Sequence, residues 1–138
     1  MNGKAKAIVD EMMKTDAFSQ WLGIEVLEVK EGSCKLKMIV REEMVNGFGI
    51  VHGGVTFSFA DSALAFASNG YGRLSVALEC SISYPNPVRI GDELTATAEE
   101  VSISNKIGIY HISVTNQDDK LTGAFKGTVY RTSKEWEV

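Results

Sequence analysis

Between Glu43 and Arg73 the chain carries, apart from the phenol of Tyr71, two ionisable side chains, His52 and Asp61. Asp61 falls inside the run Gly54 to Asn69, GVTFSFADSALAFASN, which reads as a helix without any Lys or Arg, so no ion pair along that helix can satisfy it. An unpaired carboxylate taken out of water is costly or is forced to take up a proton. Such a group is suited to act as a general base, a general acid or a nucleophile; the plainer alternative is a core acid bonded to backbone or serine groups. His52-Gly53-Gly54 stands at the entry to the same helix. The first amides of a helix have no intrahelical acceptor and carry the positive end of its dipole, and glycine lets a ligand approach the backbone closely. Those are the ingredients of a hole for a carbonyl oxygen gaining negative charge, although HGG also serves as a tight turn into a helix.

Spacing limits how these groups can cooperate. Gly53 and Asp61 are eight positions apart, which is about 12 Å along one helix. They cannot flank one carbonyl carbon from a single chain. If they act together, the amide comes from one subunit and the carboxylate from an antiparallel helix of a second, and a two-fold dimer then holds two equivalent sites.

The surrounding pattern supplies the frame. Apolar Ala7, Ile8, Met12 and Met13 fall at helical spacing and predict a short surface helix over about residues 4–15, ending near Thr15-Asp16. Cys34, Leu36, Met38 and Val40 alternate with Lys35, Lys37 and Ile39, as in a strand with one buried face. Leu74, Val76, Leu78, Cys80, Ile82 and Tyr84 alternate with small or polar residues until Pro85 and Pro87 stop the run. In Glu93 to Ser104 the phase slips between Ala98 and Val101, which predicts a bulge. Two further alternating runs, Ile107 to Asn116 and Leu121 to Arg131, are separated by the turn-like Gln117-Asp118-Asp119-Lys120. In Gly54 to Asn69 the apolar residues surround the helical wheel, so that helix should be buried on most sides. The expected fold class is α+β: one domain over residues 1–138, with an antiparallel sheet wrapped around one long central helix.

Composition narrows the function. A net charge of −4 gives no field to draw in a phosphate backbone, so nucleic acid is not an expected partner. The glycine-rich charge-free stretch Met44 to Ala60 makes a poor membrane span, and the charged N-terminus lacks the apolar core of a secretory signal. A cytoplasmic protein is expected. Cys34 and Cys80 lie 46 positions apart with no CxxC, and read as buried reduced thiols rather than a disulfide or a nucleophile. His52 and His111 show no ligand spacing, so no metal is expected, and no Rossmann or P-loop pattern points to a nicotinamide cofactor or a nucleoside triphosphate.

Asn46, His52-Gly53-Gly54 and Asp61, followed by the strand ending in Tyr84-Pro85 and then by Gly91-Asp92, resemble the hotdog-fold acyl-CoA thioesterases, in particular the phenylacetate-pathway (PaaI-like) branch. The likeness runs from about Gly23 to Thr132. It implies a hotdog fold that dimerises and often forms a dimer of dimers. It also implies roles: the Gly53 amide polarises the thioester carbonyl, Asn46 and His52 position substrate or water, and Asp61 of a partner chain is nucleophile or general base. Substrate and CoA contacts would fall on Gly54, on Tyr84, Asn86, Pro87 and Arg89, on the turn Asn105-Lys106, and on Lys126. CoA is then part of the substrate and no separate cofactor is needed. Other branches carry a hydroxyl where this chain has Ala65 or Ala77, which leaves the holder of the lytic water unassigned. Phe57, Phe59 and Phe66 are candidates for an acyl wall as well as for plain core, and an aryl-acetyl or medium acyl group would suit them. Two other activities remain: an enoyl-thioester hydratase or dehydratase, and a non-catalytic acyl-CoA-binding module.

Overall fold

The computed structural model describes residues 3–138. Two helices, α1 (Gly3–Thr15) and α2 (Ala17–Leu22), precede the strands β1 (Glu25–Lys30) and β2 (Ser33–Ile39). A 3-10 turn (Glu42–Met44) and a loop lead to the long helix α3 (Gly53–Asn69), and four strands follow: β3 (Arg73–Ser83), β4 (Glu93–Ile103), β5 (Ile107–Thr115) and β6 (Leu121–Glu135). All strand pairs are antiparallel, in the order β1-β2-β4-β5-β6-β3. With α3 packed on one face of this sheet, the architecture is the expected hotdog fold.

The alternation read in the sequence becomes the core. Leu36 and Met38 of β2, Leu94 and Ala96 of β4, Tyr110 and Ile112 of β5, and Phe125 and Val129 of β6 are buried around Phe59, Leu64 and Phe66 of α3. The sheet comes closest to the helix at Gly127, where a Cβ would lie 2.5 Å from Leu64 Cδ2, so a side chain there is excluded by packing. Asn69 anchors the far end of α3. Its amide nitrogen donates to the Ala65 and Ser75 carbonyls, while its oxygen accepts from Ser75 N–H and the Trp136 indole. All four bonding positions of a side chain that is only 2% exposed are thus used.

Four features differ from the pattern. The N-terminal helix is not a surface element, because Ala5, Ile8 and Val9 are buried in the core. Helix α1 ends at Thr15 as expected, but α2, capped by Asp16, follows at once and has no counterpart in the sequence pattern. Strand β1 was not predicted; its register shifts between Val26 and Glu28, and the shift breaks the period of two. In β3 the shift between Ala77 and Glu79 divides the predicted apolar face: Cys80 and Ile82 pack inward, but Val76 and Leu78 are exposed to 47% and 58%. The slip predicted in β4 is present, between Glu100 and Ser102. No helix among the described residues is long and apolar enough to cross a membrane.

Candidate active site

The loop before α3 is stitched on both sides. Asn46 N–H donates to the Ile50 carbonyl (2.8 Å), Gly49 closes the turn at φ +79°, His52 N–H reaches the Met44 carbonyl (2.8 Å) and Val51 N–H reaches the Val88 carbonyl (2.8 Å). This fixes the start of the helix. His52 is its cap: Nδ1 accepts from Gly54 N–H at 2.9 Å, and the His52 carbonyl accepts from Val55 N–H at 2.9 Å. The Gly54 amide is therefore occupied. The Gly53 amide, ahead of it, makes no hydrogen bond among the described residues and is the open donor at the positive end of α3. Tyr84 closes the other side, donating from its hydroxyl to the Gly53 carbonyl (2.9 Å).

A cavity of about 350 Å³ opens at this point, lined by Asn46, Gly53, Tyr84, Asn86 and Pro87 together with less polar neighbours. The structure thus gathers five residues singled out in the sequence into one concavity. It adds Thr56, from the first turn of α3, and Thr122, from β6, whose hydroxyl is turned to the Val114 carbonyl (3.1 Å). Neither threonine has a charge or a motif to betray it in a sequence. Asn86 is held by a bond from its amide nitrogen to the Leu121 carbonyl (2.8 Å), and Asn46 Oδ1 accepts from Phe48 N–H (2.8 Å).

Asp61 does not line that cavity. Both Gly53 and Asp61 belong to one continuous helix, which keeps the carboxylate about two turns from the open amide. Most of α3 is buried, but Gly54, Ser58, Asp61 and Ala65 form a stripe at spacings of four, three and four that is left incompletely covered. Asp61 is half-buried on that stripe, with Cys80 Sγ 3.9 Å from Oδ1. Burial, and then the negative charge of Asp16, push its carboxyl above the ordinary value of 3.8, while the Cys80 contact pulls the other way. A carboxylate moved in that direction is a stronger base.

The remaining expected contacts are spread out. Arg89 lies beside the main cavity, on a depression of about 260 Å³ that shares Asn86 and Pro87 with it and whose other charged walls are Lys120, Asp92 and Asp118. Asn105 and Lys106 are exposed on the β4–β5 turn, where Arg73 donates to Asn105 and Arg131 N–H reaches the Lys106 carbonyl. That turn belongs to the end of the molecule where α3 finishes, away from the Gly53 cavity of the same chain. Lys126 pairs with Ser81 across the sheet, opposite the face occupied by α3, and forms an ion pair with Glu79 (3.8 Å). Phe59 and Phe66 are fully buried core, and Phe57 packs edge-on against Phe125 with centroids 5.2 Å apart. Both cysteines are free thiols; Cys34 is buried beside the Ala63 carbonyl as expected, whereas Cys80 is only partly covered, against the expectation of two buried thiols, because the β3 face that carries it is incompletely packed. No group of three or more metal-ligating side chains occurs among the described residues.

Comparison with known proteins agrees with this geometry. Residues 48–122, from the loop before α3 to the start of β6, match the Thioesterase superfamily. A putative esterase of Archaeoglobus fulgidus is 41% identical over 129 residues, covering 94% of this chain and 84% of that protein. The acyl-coenzyme A thioesterase PaaI of Escherichia coli is 37% identical over 131 residues, covering 95% and 94%. The solved structure of the E. coli PaaI protein, from the phenylacetic acid degradation operon, superposes with a TM-score of 0.93 at 36% identity and 96% coverage of both chains. A match over more than half of the chain, and relatives of this identity over nearly all of it, make the protein a member of the thioesterase superfamily.

Proposed function

We propose that the protein hydrolyses acyl-CoA thioesters, with an aryl-acetyl or medium-chain acyl group, to the free acid and CoA. Thioester hydrolysis is the activity of the family. The CoA carrier is supported by the names of the thioesterase relatives; of the groups beside the cavity, Arg89 and Lys120 can meet its phosphates, although Asp92 and Asp118 line the same depression. The observation that carries the reading is the unpartnered Gly53 amide at the mouth of the 350 Å³ cavity. A carbonyl oxygen placed there gains charge as the carbon is attacked, and the amide and helix dipole stabilise it.

Asp61 of a second chain completes the site in this proposal. Its carboxylate either attacks the carbonyl carbon, expelling CoA as thiolate and leaving an anhydride that water hydrolyses, or takes a proton from the attacking water. The partial exposure of the α3 stripe and of the β3 edge at Val76 and Leu78 supports a two-fold dimer that brings these groups together.

The test is free-thiol release from phenylacetyl-, hydroxyphenylacetyl-, benzoyl-, short- and long-chain acyl-CoA, with wild type and Asp61→Asn side by side. Fast release from the aryl-acetyl thioesters, lowered by roughly 10²-fold or more in the variant, is expected. Near-normal turnover by Asp61→Asn would remove the carboxylate from the mechanism, and preference for long chains would overturn the acyl assignment.

A further inference from the structure

Asp61 has a neighbour on a different element that takes no part in the mechanism above. Asp16 caps α2, its Oδ1 accepting from Ser19 N–H (3.0 Å), and its Oδ2 accepts from the Ser19 hydroxyl (2.6 Å). The Ser19 oxygen is in turn 2.8 Å from the hydroxyl of Ser62, the residue that follows Asp61 on α3. Both serines are buried, to 1% and 9% exposure, so the chain Asp16–Ser19–Ser62 is sheltered from competing water. A cap needs one acceptor at its helix amide; the second carboxylate oxygen of Asp16 instead holds the Ser19 hydroxyl, which makes the contact from α2 to α3.

We propose that Asp16, tied through Ser19 and Ser62 to the turn of α3 that carries Asp61, is a positioning residue that holds the reacting carboxylate and tunes its basicity. The proposal rests on the assignment of Asp61 as the reacting acid. Two elements bring titratable groups to Asp61, α2 with its cap Asp16 and β3 with Cys80, and among the described residues no cation is one of the groups acting on it. A fixed negative charge beside a carboxylate disfavours its ionised form, so Asp16 keeps Asp61 a better proton acceptor or nucleophile than an isolated aspartate. The bridge supplies the geometry. By anchoring α2 to the turn of α3 beside the acid, it fixes the distance over which that charge acts.

Asp16→Asn separates charge from structure, because asparagine caps a helix as well as aspartate: its Oδ1 can accept from Ser19 N–H while its Nδ2 donates to the Ser19 hydroxyl, which then donates to Ser62. The variant is expected to fold with unchanged circular dichroism. The acid limb of its kcat/KM profile should move to lower pH and kcat near neutrality should fall several-fold at constant KM. A profile superimposable on wild type, or a rise in KM with kcat intact, would overturn the proposal. A second readout does not depend on turnover: carbon-13 titration of the Asp61 carboxyl by NMR, where its midpoint should drop in Asp16→Asn and an unmoved midpoint refutes the coupling. Ser62→Ala, which cuts the bridge but leaves the charge, should lower kcat with a smaller displacement of the acid limb; wild-type kcat there would eliminate the tether. If Asp61→Asn retains turnover while the NMR midpoint still moves, the catalytic assignment fails and the coupling stands.

Discussion

The Tyr84 hydroxyl donates to the carbonyl of Gly53 at 2.9 Å, so the glycine of the cavity wall whose own amide is unpartnered is held through its carbonyl by a phenol that lines the same cavity. The contact is tight: a Cβ on Gly53 would sit 3.2 Å from Tyr84 Cζ and from its oxygen. Gly53→Ala must therefore move the ring or tilt the peptide whose N–H is to meet the substrate. Its kcat is expected to fall roughly 10-fold or more with the fold intact, as for a displaced oxyanion donor. Tyr84→Phe, which removes one hydrogen bond from a part-exposed site and leaves the glycine alone, should cost far less. Steady-state kinetics of the pair would separate these effects, and wild-type kcat in Gly53→Ala would exclude this amide as a donor.

Asp61 is raised above its ordinary value by burial and by Asp16. An acid raised in the folded state binds more protons there than in the unfolded chain over the interval between the two values, so it destabilises the fold as pH rises through that interval. At neutral pH the ionised group opposes folding, whereas below about 3.8 it is protonated in both states and makes no difference. Asp61→Asn should accordingly melt higher than wild type at neutral pH, with the gap narrowing as pH falls toward that value. Thermal melts across a pH series test this, and a variant that melts lower at neutral pH would mean that the carboxylate is a structural anchor.

These groups were unequally legible in the sequence. Helix α3 and strands β4 to β6 announced themselves because their patterns are long: the apolar run Gly53–Asn69 and the alternation of Ile107–Thr115 leave one solution each, and even the β4 slip could be read from Val101 and Ile103 falling out of phase. Asp61 stood out as a lone charge. Helix α2 is six residues long and strand β1 is bulged within its own six, so neither repeats its period often enough to stand out. The Thr56 and Thr122 lining and the Ser19–Ser62 bond join residues that no local pattern links; the last spans 43 positions and exists because two helices pack.

The two cysteines provide a chemical probe of the acid's surroundings. Burial pushes Cys34 up to about 12, and burial together with Asp61 and Glu79 pushes Cys80 up to about 11. The thiolate is the reactive form, so the native protein should take up almost no alkylating reagent near neutral pH, against two equivalents after denaturation. As pH is raised, Cys80 should react before the more deeply buried Cys34, and its modification should stop hydrolysis because the new group is set against Asp61. Mass spectrometry of the labelled peptides, read beside residual activity, checks both the order and the consequence. Prior labelling of Cys34 would contradict the burial argument.

The strongest consequence of the helix geometry concerns subunits. Because Gly53 and Asp61 lie about 12 Å apart on α3, a site that uses both must draw them from two chains. Gly53→Val and Asp61→Asn should each be inactive alone. Mixed and refolded together in equal amounts, half of the pairs should be heterodimers. In each of these, one site combines the intact Gly53 of one chain with the intact Asp61 of the other, while the second site carries both lesions. Random pairing predicts recovery of about a quarter of the wild-type rate, a value that further association of dimers does not change. Recovery of that size demonstrates a shared site, and none at all, from a mixture shown to exchange subunits, would place the whole reaction within one chain.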